Sequence, residues 1–135
     1  EERADQRTAE HRRARRDAYV RFLSQALDAT AVVRSVRAPG LSDAEFEVRR
    51  AAANDALDGL IPAHGLVLLE GPDELMESVQ DVRDTLSTEL ALIRAVRQGS
   101  KSDGELWEAR TARASAAGAM AEKARMALGG DIDTA

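Results

Sequence analysis

The sequence predicts an all-α protein, an up-down-up-down four-helix bundle with a long, charged helical extension at its N-terminus. Three observations carry that expectation. Leu75, Val79, Val82, Leu86, Leu90, Ile93 and Val96 recur at spacings of three and four, which lines them along one helical face. Arginine and alanine, both strong helix formers, dominate the composition. Turn-forming residues also divide the remaining chain into segments of helical length with short links between them. A chain of 135 residues amounts to about one domain, long enough to bury a core.

Residues 1–17 are almost wholly polar, with opposite charges at helical spacing, such as Glu1 with Asp5 and Glu10 with Arg13. They form a charged extension with no face to bury. An apolar stripe then begins at Tyr19 and runs through Phe22, Leu23, Ala26, Ala29, Thr30, Val33 and Val36, so the first bundle helix spans about 18–37. Ala38-Pro39-Gly40 makes a turn. Ser42 and Glu45 have the spacing of a capping box, with Leu41 and Phe46 placed as its hydrophobic staple. The second helix therefore starts at Asp43 and runs to about 60, burying Phe46, Ala53, Leu57 and Leu60.

Ile61-Pro62-Ala63-His64-Gly65 is expected to break that helix, leaving Leu66-Val67-Leu68-Leu69 as an extended buried connection. No second strand candidate exists to pair with so short a run. Gly71-Pro72-Asp73-Glu74 has the marks of a helix start, since proline suits the first helical position and acidic residues suit the positive end of the dipole. The third helix accordingly covers about 72–98, with Gly99 to end it. Ser102 and Glu105 offer a second capping box, weakened by Gly104, and the fourth helix spans about 103–128. Its stripe of Leu106, Ala109, Ala116, Met120, Ala124 and Leu128 is narrow. Residues 130–135 are expected to form a disordered tail after Gly129-Gly130.

The chemistry is sparse. With no cysteine, disulfides, thiolate metal sites and a cysteine nucleophile are excluded. His11 and His64 stand far apart, and no Glu-x-x-His pair is present to build a metal site in a bundle. Glu77, Asp81 and Asp84 share one side of the third helix, opposite its apolar stripe, which points to a solvated face rather than to acid–base chemistry. Asp131-Ile132-Asp133 is too short for a calcium loop. Gly129-Gly130 opens no helix and cradles no phosphate. Trp107 lies beside the stripe of the fourth helix, as a partly buried edge residue or an exposed contact. These residues imply no enzyme, no cofactor, no metal and no small-molecule substrate.

One feature carries a functional expectation. Arg12, Arg13, Arg15 and Arg16 place four guanidinium groups in five residues, a density suited to phosphates on anionic lipid or on nucleic acid. The net charge of -5 makes a general nucleic-acid binder the lesser alternative. Because the chain starts at Glu1 rather than Met, an upstream segment is expected, and arginine clusters follow membrane anchors on their cytoplasmic side. No apolar run within the chain reaches the roughly 18 residues that span a bilayer.

The arginine-rich lead into "RRDAYVRFL", the later "LVLLEGPDEL" and the ending "KARMALG" resemble a broad group of uncharacterised actinobacterial proteins. The resemblance implies an N-terminal membrane helix followed by a charged helix and a helical bundle. It implies no activity and no functional residues. The expected function is thus a non-enzymatic interaction or scaffold domain, the cytoplasmic portion of a membrane-tethered protein, binding a protein partner or a second copy of itself. The alternative is a small regulatory or nucleic-acid-associated protein that binds through the same arm.

Overall fold

The computed structural model describes residues 2–70 and 75–127. The described chain is all-helical, with no strand among those residues: α1 (Glu2–Ser35), α2 (Asp43–Asp58), α3 (Leu60–Glu70), α4 (Met76–Arg97) and α5 (Asp103–Ala127). The expected helix start at Pro72, the Gly129-Gly130 end, Leu128 and the 130–135 tail lie outside the described residues.

Helix α1 is a single element of 34 residues, about 51 Å long at 1.5 Å per residue. From Arg3 to Arg13 every side chain is exposed. Burial starts at Ala18 and follows the apolar stripe through Tyr19, Phe22, Ala26, Ala29, Val33 and Val36. The charged extension and the first bundle helix are therefore one rod, half free and half packed.

The expected extended connection is corrected. Residues 60–70 are helical, and only Gly59 separates α2 from α3. Proline did not break the chain because Pro62 falls in the first turn of α3, where backbone N–H groups have no intrahelical acceptor in any case. Leu60, Ala63, His64 and Val67 are all buried, a helical spacing that the continuous apolar run around them had obscured.

The helix ends follow their local chemistry. Ser42 Oγ accepts from the Glu45 backbone N–H at 3.1 Å and caps α2. At α5 both halves of the box are made, because Glu105 N–H donates to Ser102 Oγ (3.2 Å) and Ser102 N–H donates to Glu105 Oε2 (3.0 Å). After α4, Gly99 adopts φ 79°, while its N–H reaches Val96 O (3.0 Å) and that of Ser100 reaches Ala95 O (2.9 Å). This is a complete Schellman end, and the left-handed φ is why glycine stands there.

Contacts between helices fix the arrangement. Arg49 Nη1 donates to Ser35 O at 2.9 Å, the His64 ring meets Phe22 edge-on, and His11 faces Glu70 at 3.9 Å. Partners on α2 and α3 thus advance as α1 is followed backwards. Arg97 ties the end of α4 to the start of α2: it donates to Leu41 O (2.9 Å) and Asp43 Oδ1 (3.0 Å) and lies 4.4 Å over the Phe46 ring. The core between them is built from Tyr19, Phe22, Leu60, Leu75, Leu86 and Met120, all fully buried.

One ion pair lies inside this core. Glu89 is 0 % exposed, and its two oxygens accept from Arg113 Nε (3.1 Å) and Nη2 (3.2 Å) across the α4–α5 seam. The two-point geometry satisfies both oxygens, which is what a buried carboxylate requires.

Candidate functional site

At 100° per residue, positions 12, 13, 15 and 16 fall within about 160° of the α1 circumference. Arg15 continues the core stripe one turn before Ala18 and Tyr19 and is half-buried, with a buried Nε that lacks a hydrogen-bond partner. Arg12, Arg13 and Arg16 turn away from that stripe and, with Ala9, line a shallow cavity of about 190 Å³. Arg16 approaches the exposed Asp17 at 4.0 Å. Arg12, Arg13 and Arg15 make no ion pair among the described residues. Asp17 compensates Arg16 in part, while Arg12 and Arg13 are exposed to solvent.

A second component adjoins the arm, and the sequence reading missed it. The contact of His11 with Glu70 brings the end of α3 against this part of α1, and there Leu68 and Leu69 are exposed, Leu69 to 82 %. Two adjacent exposed leucines thus lie near the end of the helix that this contact brings to the arm. The signal lay in the uninterrupted Leu66–Leu69 run. A helix passing through four consecutive apolar residues cannot bury them all on one face.

His64 has no place in that surface. It is buried on α3, and its Nδ1 accepts from Arg83 Nη1 at 2.8 Å, because guanidinium can only donate. Burial lowers the ring's pKa below the usual histidine range, and the Arg83 charge lowers it further, against an opposing pull from Asp84. The imidazole is therefore neutral near pH 7. The unfolded chain takes up a proton near pH 6.5, whereas the folded chain does so only at lower pH. The contribution of His64 to stability is thus complete above about pH 6.5 and is lost as the pH falls from there towards the native pKa. Denaturant midpoints measured from about pH 7.5 to 5 should show this loss, and the difference between native protein and His64→Gln should carry it. Parallel pH profiles for the two proteins would contradict it.

Glu77, Asp81 and Asp84 are exposed, and Asp84 accepts from Gln80 at 2.8 Å. Trp107 is 62 % exposed, an outward side chain rather than an edge of the core. No group of histidine, aspartate and glutamate among the described residues could hold a metal ion. No described helix is long and apolar enough to cross a membrane.

No family model, no curated protein and no solved structure matches this chain.

Proposed function

We propose that this domain is a non-enzymatic interaction module, an up-down-up-down bundle that rests the Arg12–Arg16 end on an anionic membrane surface and offers the rest of its body to a protein partner or to a second copy. The single observation behind this reading is the His11–Glu70 contact, which brings the α3 end that carries exposed Leu68 and Leu69 to the part of α1 that carries Arg12, Arg13, Arg15 and Arg16. The antiparallel order of the helices is supported by the pairs Ser35–Arg49 and His11–Glu70, and by Glu89–Arg113 beyond the Gly99 turn. The resemblance to membrane-anchored actinobacterial proteins agrees with a position at the inner face of the cell membrane.

Magnitudes set the character of the contact. Each basic residue near an anionic surface contributes about 1 kcal/mol, so four supply about 4 kcal/mol, roughly a thousandfold in partitioning. A leucine buried in the acyl boundary adds about 1.5–3 kcal/mol. Arg15 and Arg16 are half-buried, so these figures are upper bounds, and a tether would add an independent signal.

Co-sedimentation with phosphatidylglycerol vesicles at low salt tests the reading. Changing all four arginines to glutamine should reduce binding by at least about tenfold. Replacing Leu68 and Leu69 with glutamine should remove the portion that survives high salt, since apolar insertion is not screened. Unchanged binding in the four-arginine variant overturns the lipid role. Salt-sensitive binding to duplex DNA that disappears on deletion of residues 1–17 would instead favour nucleic acid, although an exposed leucine pair has no use on a phosphate backbone.

A further inference from the structure

About 34 Å along α1 from the arm, at 1.5 Å per residue, a second set of arginines converges. Arg34 lies in the last turn of α1 and Arg37 in the turn that follows Ser35, while Arg110 and Arg113 stand three apart on one face of α5. Helix α1 packs on α2, α3 and α4 but scarcely approaches α5. The seam between α1 and α5 is instead open. On its α1 side Ala31, Arg34, Ser35, Arg37 and Ala38 line a cavity of about 460 Å³, within the range of small-ligand pockets. Arg37 also borders a neighbouring cavity of about 240 Å³, into which α4 and α5 contribute Ile93, Arg97, Asp103 and Leu106.

The charges here do not balance. Glu89 is fully engaged by Arg113. The side chains of Arg34, Arg37 and Arg110 make no hydrogen bond or ion pair among the described residues, and Arg110 Nε is buried without a partner. A buried guanidinium nitrogen left unpaired is costly, and native structures seldom retain one without a use.

We propose that a phosphate-bearing anion binds in the α1–α5 seam, gripped by Arg34 at the end of α1, by Arg37 in the turn after it and by Arg110 on α5, with Arg113 held in place by Glu89. Guanidinium groups suit this task because their forked N–H donors match phosphate oxygens two at a time. An anion carrying two or more charges neutralises the excess of positive charge and supplies an acceptor for Arg110 Nε. The field within the cluster is consistent with this. Burial lowers the Arg37 pKa below its ordinary value, the Arg110 charge lowers it next, Arg34 and Arg113 add to the effect, and Glu89 alone opposes it. The site is independent of the lipid-facing end and of the function proposed for it.

Calorimetric titration of the full chain with inorganic pyrophosphate, and separately with orthophosphate, at constant ionic strength tests this assignment. Pyrophosphate should bind with a Kd of about 1 mM or tighter and raise the melting temperature, and orthophosphate should bind more weakly. Arg37→Gln and Arg110→Gln should each weaken pyrophosphate binding by at least about tenfold while leaving the unligated protein as stable as the native one or more so, since each removes a repelled charge. Arg34→Gln, at an exposed position that the fold tolerates, should weaken it as well, and Arg12→Gln should not. Absence of binding at about 10 mM pyrophosphate overturns the proposal, as does an affinity that Arg34→Gln, Arg37→Gln and Arg110→Gln all leave unchanged.

Discussion

Glu89→Ala is expected to lower folding stability by about 3–5 kcal/mol, the range observed when one member of a buried ion pair is removed. Glu89 is 0 % exposed and Arg113 only 15 % exposed, so the change strands a guanidinium in a nearly dry seam. The loss is deepened by the surroundings. Glu89 is the carboxylate that counters the fields of Arg34, Arg110 and Arg113 at Arg37, and without it those arginines repel one another unopposed. Arg113→Ala strands the carboxylate instead and should cost a similar amount. The double change Glu89→Leu with Arg113→Met removes both charges and fills the volume, so it should recover most of the loss or exceed native stability. Urea denaturation of the four proteins measures this directly. A Glu89→Ala cost below about 1 kcal/mol would mean that the pair is wetted and behaves as a surface bridge.

That pair was legible in principle. Glu89 lies three residues after Leu86 and four before Ile93, so it occupies the buried stripe of α4, and Arg113 likewise stands four after Ala109 and three before Ala116 in α5. Opposite charges in facing apolar stripes of consecutive helices announce a buried bridge. They pass unnoticed when charged residues are assigned to the solvent by default. The apolar stripes of α1 and α4 could be read directly because period and burial coincide there. Helix α3 could not, since Leu66, Val67, Leu68 and Leu69 are all apolar and a uniform run has no period. The arginine arm was visible as composition, but its leucine neighbours required the tertiary contact between His11 and Glu70. The second arginine cluster was invisible for the same reason: Arg37 and Arg110 are separated by about half the chain, and the charge of one acts on the other only in the folded bundle.

Phe22→Ala carries the other large effect, an expected loss of about 3–5 kcal/mol. Phe22 is fully buried at the junction of α1 and α3, its ring 6.3 Å from that of His64 and inclined at 66°. With so few aromatic residues in the chain, no neighbour of comparable size can swing into the space, so the cavity persists rather than collapses. Phe22→Leu retains most of the volume and should cost less than half as much. The two variants also separate packing from electrostatics. Burial is the largest cause of the lowered His64 pKa, so opening the wall beside the ring admits water and moves that pKa back towards the ordinary value. The fall in stability between about pH 6.5 and 5 should therefore be shallower in Phe22→Ala than in Phe22→Leu, even though Phe22→Ala is the less stable protein throughout. Denaturant midpoints across that range decide the matter. A uniform downward shift with the native slope would mean that Phe22 only fills space and that His64 is kept neutral by Arg83 instead.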